Sequence, residues 1–382
     1  MTATGYDLAV VGAGIVGLGH AAAARERGLR VVVIDRATQI TGASVRNFGH
    51  ICVTAQSGEA RQYAERAREL WLRYAGRAGF WVRESGTVVV ARAADELAVI
   101  QEWSRAESGV ALIGAGDVTG KAPVVGAVGG AWLPRDLQVD PRQAAPALAR
   151  HLADTGVEFR WRTSALGVAG GVLHTTRDPI HADAVVVAVG HDVDQLYPHV
   201  AEAAGVLRCG LDMLLVEPAA LPAPLRAPVL TGWSLLRYSG SRDVPAAAAL
   251  RERLATEHPD LYALDLNQMY TQRPDGTVIV GDTHYRSTSV APFQAESSFD
   301  ALADVTRELF GLTRLPVRER WQGVYASAPE EFLIAAPADG LRVVSVTTGI
   351  GMTTGLGLGE AVVADLFGAR STGRAVPTVP GA

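Results

Sequence analysis

The sequence is short of lysine, cysteine and long apolar runs, and each shortage excludes a class of protein. Lys121 is the single lysine, the 35 basic residues form no block, and the net charge is −5, so nucleic acid and anionic membrane surfaces are poor partners. The two cysteines, Cys52 and Cys209, predict neither a disulfide framework nor a metal site. No apolar run reaches the roughly 18 residues of a membrane span. The first strand begins without a charged and apolar leader, so a cytoplasmic location is expected.

What the sequence does have is a large apolar content. With 382 residues, of which 48% are hydrophobic, the chain can bury a sizeable core. It also exceeds the length at which a single core usually keeps growing. Two domains are therefore expected.

The most informative segment is residues 6–35, which read YDLAVVGAGIVGLGHAAAARERGLRVVVID. An apolar run stops at a glycine cluster, an alanine-rich helix follows, and a second apolar run ends in an acid, which is the order of a βαβ dinucleotide-binding unit. Gly12 permits the tight turn, Gly14 lets backbone approach a pyrophosphate, and Gly17 lets helix and strand pack closely. Asp35 is placed to accept hydrogen bonds from ribose hydroxyls and would repel a 2′-phosphate. The predicted contacts here are Gly12, Gly14, Ile15, Val16, Gly17, Asp35 and Arg36, of which Arg36 is interpreted as a solvated residue.

Periodicity and turn residues predict the remaining elements. A long helix is predicted at 58–77, and β-branched residues at 80–92 predict strands with a turn at 84–86. A second α/β unit is predicted at 139–190, with Pro141 at the start of its helix. The last unit combines a strand at 341–346 with a helix at 359–367, and the tail at 371–382 has a composition typical of disorder.

Four segments, in this order, resemble the superfamily of flavoenzymes that contains D-amino-acid oxidase, glycine oxidase and sarcosine oxidase. They are GAGIVG at 12–17 with Asp35, GASVRNFGH at 42–50, ADAVVVAVG at 182–190, and ERWQGVYASAPEEF at 319–332 with TTGIGMTTGLGLGE at 347–360. The resemblance implies an α/β fold, α+β in part. In it a Rossmann-like FAD-binding domain is interleaved with a substrate domain built on an antiparallel β-sheet. The expected FAD-binding domain is residues 1–79, 136–208 and 318–382, and the expected substrate domain is 80–135 and 209–317.

The same resemblance implies which residues contact FAD. The family's loop beside the flavin ring falls on Ser44, Arg46, Asn47, Gly49 and His50. Further contacts are expected at Gly190, Trp321, Gly323, Gly349, Gly351, Met352, Thr353 and Thr354. Relatives that bond flavin covalently carry a histidine at the position of Arg46 or a cysteine at the position of Gly323. FAD is therefore expected to be non-covalent, with Cys52 as a less favoured alternative attachment point.

The substrate side departs from the best-known members of that superfamily. Glycine and D-amino-acid oxidases hold the substrate carboxylate with an arginine where this sequence has Tyr325, and sarcosine oxidase uses a lysine where this sequence has Thr353. A buried carboxylate without a cationic partner is heavily penalised. The substrate therefore either lacks an α-carboxylate or meets another cation. The candidates for that cation are His50, His284, Arg273 and Arg286. The side chains expected around the reacting carbon are Tyr325, His284, Tyr285 and His50.

The activity that the resemblance implies is oxidation of a carbon–nitrogen bond in a small primary or N-methyl amine. A hydride passes to flavin N5, and water hydrolyses the resulting imine. The C-terminal segment is similar to phosphonate-associated relatives, which favours an aminophosphonate substrate. The electron acceptor is molecular oxygen or another molecule, with an oxidase favoured over a dehydrogenase, although Lys121 is far in sequence from the motifs. The alternatives are a nicotinamide-dependent dehydrogenase and a non-catalytic flavin-binding subunit, and the oligomeric state is open.

Overall fold

A computed structural model describes residues 5–368, so the predicted disordered tail at 371–382 lies outside the described residues. The strands are β1 (Tyr6–Val11), β2 (Val31–Asp35), β3 (His50–Ile51), β4 (Val82–Arg83), β5 (Thr87–Ala91), β6 (Ala111–Ile113), β7 (Gly129–Leu133), β8 (Leu137–Val139), β9 (Glu158–Trp161), β10 (Ala165–Ala169), β11 (Val172–Thr175), β12 (Ile180–Val187), β13 (Leu207–Val216), β14 (Val229–Leu230), β15 (Met269–Gln272), β16 (Val278–Gly281), β17 (Tyr285–Ser287), β18 (Val317–Ala338) and β19 (Leu341–Thr348). The helices are α1 (Ile15–Glu26), α2 (Gly58–Ala78), α3 (Ala94–Ala106), α4 (Ala115–Lys121), α5 (Pro141–Asp154), α6 (Val193–Leu196), α7 (Pro198–Ala203), α8 (Gly232–Leu235), α9 (Ala247–Glu257), α10 (Pro259–Ala263), α11 (Glu296–Phe310) and α12 (Gly351–Phe367).

One half of the molecule is a parallel sheet with strand order β9-β2-β1-β12-β19. Its central strands are apolar runs such as YDLAVV, buried on both faces as expected for a parallel sheet. Helices α1, α2, α5 and α12 pack against one another over this sheet. A small antiparallel sheet, β3-β8-β4, lies beside them. This half is the predicted Rossmann-like unit.

The other half is a sheet with strand order β6-β7-β5-β14-β15-β16-β13. Its strand pairs are antiparallel except for β14 with β5. The short strand β17 pairs antiparallel with the N-terminal part of β13. Helix α11 packs on β13 and β16. The fold class is confirmed: a Rossmann-like sheet is combined with a largely antiparallel one. The expected domain boundaries remain a prediction.

A single long strand, β18, joins the two sheets. Its N-terminal part pairs antiparallel with β13, where Trp321 lies opposite Met213, and its C-terminal part pairs antiparallel with β19, where Phe332 lies opposite Val346. Residues in the middle of β18 therefore lie at the junction of the sheets. Gly323 and Tyr325 are two of them.

The glycine-rich C-terminal segment differs from its prediction. Residues 349–359 were expected to be a loop before a helix that starts at Gly359, but α12 already begins at Gly351. The reason is close packing: a Cβ at Gly357 would overlap the carbonyl oxygen of Tyr63 on α2, and a Cβ at Gly359 would lie 2.5 Å from the backbone nitrogen of His20 on α1. These glycines let three helices approach closely. In the sequence alone, the same glycines had indicated a loop.

Across residues 5–368, every helix is too short or too polar to cross a membrane.

Candidate active site

An elongated cavity of about 500 Å³ runs between the two halves of the molecule. One end lies at the carboxyl ends of β1 and β2, where ligands bind in open α/β sheets. The other end lies beneath β13, β15 and the middle of β18. Its volume is within the range of about 300–1,000 Å³ typical of small-molecule sites. We call it the cofactor cavity.

The predicted glycine turn lines the first end of this cavity. Gly12 has φ = +104°, a left-handed conformation that favours glycine, and a Cβ there would overlap the carbonyl oxygen of Ala188. Gly14 caps the N-terminus of α1, so the backbone N–H groups of the first helical turn face the cavity. Gly17 does not line the cavity; a Cβ there would overlap the carbonyl oxygen of Gly12, which confirms its predicted packing function.

Asp35 is fixed at the edge of the cavity by two backbone amides. Its Oδ2 accepts a hydrogen bond from the amide of Ala13 at 2.9 Å, and its Oδ1 accepts one from Ala37 at 2.8 Å. Arg36 also lines the cavity but forms an ion pair with Asp192 at 2.6 Å, and its side chain is 61% exposed. A fixed carboxylate beside a neutralised arginine suits ribose hydroxyls and not a 2′-phosphate.

The predicted loop at 42–50 lies along the middle of the cavity. Ser44 Oγ accepts a hydrogen bond from the Ile15 amide at 2.8 Å, which ties the loop to the start of α1. Asn47 shapes the loop, because its Nδ2 donates to the carbonyl oxygen of Ala43 at 2.8 Å and its Oδ1 accepts from the Gly49 amide at 2.7 Å. Gly49 does not line the cavity; a Cβ there would overlap the carbonyl oxygen of Val139.

The N-terminus of α12 faces the same part of the cavity. Gly349, Gly351, Met352 and Thr353 line it, together with Gly190 and Gly323. Thr353 Oγ1 accepts a hydrogen bond from the amide of Cys52 at 3.2 Å, so this side chain holds α12 against β3. Thr354 lies outside the cavity, where its Oγ1 donates to the carbonyl oxygen of Ile350 at 2.9 Å.

The second end of the cavity contains a cation that the sequence did not reveal. Arg237, just after α8, lines the cavity with a side chain only 16% exposed. Its Nη2 donates to Tyr325 Oη at 2.6 Å, and its Nη1 lies 3.6 Å from Asp265 Oδ2. Burial works to lower the pKa of Arg237, but the surrounding Tyr325, Asp282 and Asp265 outweigh it and hold the pKa above its ordinary value. Arg237 therefore stays charged.

A carboxylate and a histidine lie in the same end of the cavity. His284 Nδ1 is 2.9 Å from the carbonyl oxygen of Asp265, so this nitrogen carries the hydrogen. His284 Nε2 lies 3.3 Å from Asp282 Oδ2, while Asp282 Oδ1 accepts from Asn267 Nδ2 at 3.0 Å. Both side chains are almost fully buried. Asp282 is thereby held in place with one oxygen beside an imidazole.

His50 belongs to a buried cluster at the wall of the cavity. Its Nε2 lies 2.6 Å from Thr87 Oγ1 and 3.6 Å from Asp136 Oδ2. Ligand-type atoms of His50, Cys52 and Asp136 lie within 4.8 Å of one another. Burial raises the pKa of the Cys52 thiol well above its usual value, so the thiol stays protonated and is a poor nucleophile or metal ligand. The predicted absence of covalent flavin and of a metal stays a prediction.

Four other predicted site residues lie outside the cavity. Arg273 forms ion pairs with Asp140 at 3.1 Å and Asp275 at 3.2 Å. Arg286 pairs with Asp265 at 2.8 Å near the surface. Tyr285 receives a hydrogen bond from Gln322 Nε2. Trp321 donates from Nε1 to the carbonyl oxygen of Arg46 at 3.4 Å and lines a separate groove. Nearby acids hold the two arginines outside the cavity, and these distant partners were not visible in the linear pattern.

The sequence reasoning missed residues at both ends of the cavity. At the first end they follow β9 and β12, and at the second they follow α8 or lie near β15 and β16. They include Thr163, Ser164, Ala165, His191, Asp192, Gln195, Arg237, Tyr238, Asn267, Met269 and Asp282. No motif marks them, since each reaches the cavity only through the pairing of distant strands.

Comparisons with known proteins agree with this geometry. The family model for FAD dependent oxidoreductases (DAO) matches residues 7–366, nearly the whole chain, so the chain belongs to that family. In the comparison with curated proteins, nothing matches the sequence. Among solved structures, glycine oxidase from Geobacillus kaustophilus is 19% identical, covers 97% of this chain and 99% of its own, and has a TM-score of 0.77. L-proline dehydrogenase from P. horikoshii is 17% identical, covers 96% and 95%, and has a TM-score of 0.76. Iminodiacetate oxidase from Chelativorans sp. BNC1 is 17% identical, covers 97% of each chain, and has a TM-score of 0.73. At such low sequence identities, the structural similarity establishes a shared fold.

The residues around the cavity fit FAD, the cofactor of this family. At Gly12 and Gly14 the absence of side chains leaves a cradle at the start of α1 for a pyrophosphate. Asp35 supplies fixed acceptors at the ribose end. The N-terminus of α12 places a second positive helix end at the middle of the cavity. The resemblance to the flavoenzyme superfamily is thus confirmed, and the individual contacts with FAD remain predictions.

Proposed function

We propose that this protein oxidises the carbon–nitrogen bond of a small primary or N-methyl amine that carries an anionic group. Bound FAD supplies the acceptor for the hydride. The observation that supports this most is Arg237, a buried and charged guanidinium at the end of the cavity formed by the second sheet. A buried cation of this kind requires an anionic partner. Asp265, which is 3.6 Å away and 47% exposed, and Asp282 supply part of this negative charge, and the cavity beside Arg237 leaves room for a substrate anion.

Tyr325 adds to the anion site. Its Oη accepts a hydrogen bond from Arg237 and its own proton is directed to the Cys209 sulfur, a weak acceptor that a substrate oxygen can replace. Burial raises the pKa of Tyr325, so it remains a donor at neutral pH. Arg237 and Tyr325 together offer several donors from one side, which suits a tetrahedral phosphonate as well as a carboxylate. We favour an aminophosphonate, in line with the C-terminal sequence.

Asp282 would orient the amine. Its Oδ1 is occupied by Asn267, while Oδ2 lies beside His284 Nε2, and both Asp282 and His284 line the cavity. Oδ2 can accept a hydrogen bond from the substrate nitrogen and take up its proton, so that the nitrogen lone pair becomes available as the C–H bond breaks. With the anion held at Arg237, the carbon between the two groups is fixed, and such fixing can lower a barrier by several kcal/mol.

Apolar side chains close this end of the cavity. Phe48, Leu211, Met213 and Met269 line it and are almost fully buried. They exclude water around the reacting carbon, which strengthens the electrostatic contacts to Arg237 and Asp282. The imine formed on oxidation would hydrolyse to an aldehyde or ketone and an amine when water enters.

The electron acceptor is a separate question. An oxidase is the expectation from the family resemblance, but Lys121 cannot assist oxygen at the flavin: it does not line the cavity, and its Nζ lies 3.6 Å from the centre of the Trp132 ring.

An anaerobic screen tests the proposal. Purified protein is mixed without oxygen with 2-aminoethylphosphonate, its N-methyl derivative, glycine, sarcosine and ethylamine, and the visible flavin absorption is followed. The proposal predicts that at least one anionic amine bleaches the flavin and that ethylamine at the same concentration does not. A colourless protein unable to take up FAD would support a nicotinamide-dependent dehydrogenase, and a flavin that no amine bleaches would support a non-catalytic subunit.

A further inference from the structure

A second concave surface, with a volume of about 600 Å³, lies beside the cofactor cavity. One wall is a face of α5 whose residues are spaced by three and four positions: Arg142, Pro146, Ala149, Arg150 and Ala153. The opposite wall is the segment that follows β2, with Thr38, Gln39, Ile40, Val45 and Arg46. The floor is Phe159, Trp161 and Trp321. We call this surface the arginine–aromatic groove.

The groove is positively charged. Within the part of the chain that the structure describes, none of its lining residues is acidic. Arg150 is exposed and has no side-chain partner among the described residues, and Arg46 is bound only to the carbonyl oxygen of Gln322 at 3.3 Å. Arg142 is paired with Glu319 at 2.7 Å, outside the lining. Two of the three guanidinium groups are therefore free to meet an anion.

The floor of the groove suits a flat ligand. Phe159 and Trp161 lie parallel, with ring centroids 5.6 Å apart and an interplanar angle of 15°. Arg142 lies 5.2 Å from the centroid of Trp321. All three aromatic side chains are only partly buried, so ring surface remains open to the groove. Aromatic faces together with arginines bind planar aromatic anions by stacking and charge.

The groove is next to the cofactor cavity. Ile40 and Arg46 line both. On β18, Trp321 lines the groove and Gly323 lines the cavity, and two residues along a strand span only about 7 Å. A molecule in the groove would be a short distance from a cofactor that lies along Gly323, without occupying the space around Arg237 and Asp282.

We propose that the arginine–aromatic groove binds the electron acceptor, a planar aromatic anion of the quinone class. This inference rests on the proposed function, because amine oxidation leaves two electrons on the cofactor that must be removed. In this step the reduced flavin would return a hydride equivalent, that is two electrons and one proton, to the quinone, and a second proton from solvent would complete the hydroquinone. The groove lets this exchange occur while product still fills the substrate end of the cavity.

Equilibrium binding tests the site without turnover. The oxidised holoenzyme is titrated with 1,4-naphthoquinone-2-sulfonate, and quenching of tryptophan fluorescence is recorded, since Trp161 and Trp321 lie in the groove. Saturable quenching is expected. Arg150→Glu should raise the dissociation constant about tenfold, the size of one charged contact. The matched control is Arg314→Glu, an exposed arginine that lines neither cavity nor groove and should leave binding unchanged. Equal binding by the two variants would overturn the proposal.

Reoxidation kinetics separate failure of this inference from failure of the proposed function. The holoenzyme is reduced with dithionite, so no amine is needed, and then mixed with the same quinone. The flavin reoxidation rate should saturate with quinone concentration, and Trp161→Ala together with Arg150→Glu should shift the half-saturation about tenfold or more upward. A rate that rises linearly in wild type and variants alike would overturn the groove as the acceptor site. If amines fail to bleach the flavin but this saturation is seen, the proposed amine oxidation is wrong and the groove remains supported as the acceptor site.

Discussion

The guanidinium of Arg237 donates a hydrogen bond of 2.6 Å to the phenolic oxygen of Tyr325, 88 residues away in the sequence. Tyr325 lies on β18 where related oxidases are expected to carry their carboxylate-binding arginine. Here the positive charge comes from the segment after α8, and the tyrosine orients it. The proposed anion site therefore has the expected place in the fold, with its positive charge supplied by a different element.

Tyr325→Phe should weaken substrate binding more than turnover. Loss of one hydrogen bond to a charged group costs about 1.5–3 kcal/mol, which predicts a KM at least tenfold higher, with flavin content unchanged. Steady-state kinetics with the amine identified by the anaerobic screen measure both constants. Tyr262→Phe, an exposed tyrosine on α10, is the control and should behave as wild type. Unaltered kinetics in Tyr325→Phe would mean that the tyrosine only packs.

Asp35→Ala should reduce retention of FAD. The carboxylate is fixed by the amides of Ala13 and Ala37 and faces the cavity, and loss of a charged hydrogen bond of this kind costs about 1.5–3 kcal/mol. Flavin released during gel filtration, compared with total protein, gives the occupancy. Asp183→Ala, an exposed acid on β12, serves as the control. Full occupancy in Asp35→Ala would exclude the ribose contact.

Local signals in the sequence were enough for the first βαβ unit, because the turn at Gly12, the packing at Gly17 and the position of Asp35 are all set within 30 residues. Long-range pairing decides the rest. Arg237 has no motif around it. Arg273 was a candidate cation because its partner Asp140 is 133 residues away and could not be recognised from the sequence. The start of α12 was misplaced since glycine favours loops in isolation, whereas here the backbones of Tyr63 and His20 require it.

Two alanine substitutions in α12 should differ in their effect on stability. At Gly357 a Cβ would overlap the carbonyl oxygen of Tyr63, so Gly357→Ala should lower the free energy of unfolding by about 1–3 kcal/mol. At Gly355 the nearest atom would be a methyl of Val16 at 3.4 Å, an ordinary contact. Gly355→Ala should therefore be neutral or stabilise by up to about 1 kcal/mol through helix propensity. Urea unfolding measures both, and equal destabilisation would contradict the close-packing explanation.

His20 should make the fold acid-sensitive. Burial lowers the pKa of His20 to about 4, although Nδ1 lies 2.7 Å from the carbonyl oxygen of Val16. An unfolded histidine with a pKa of about 6.5 binds a proton that the folded protein rejects. Above about pH 6.5 the neutral His20 does not reduce the free energy of unfolding. As the pH falls from 6.5 towards 4, this free energy decreases by about 3 kcal/mol.

His20→Asn retains a donor for Val16 but cannot titrate. The difference between urea unfolding at pH 7 and at pH 4.5 should therefore be smaller in His20→Asn than in wild type by about 2 kcal/mol or more. The same pH dependence in both proteins would show that another group is responsible.

The most direct test of the anion site compares 2-aminoethylphosphonate with ethylamine in the anaerobic reduction of wild type and Arg237→Leu. The structure predicts that wild type is bleached by the phosphonate at much lower concentration than by ethylamine, and that Arg237→Leu abolishes this preference while still retaining FAD. Reduction of wild type by ethylamine at the same concentrations, or an unchanged preference in Arg237→Leu, would contradict the assignment of Arg237 as the residue that selects the substrate.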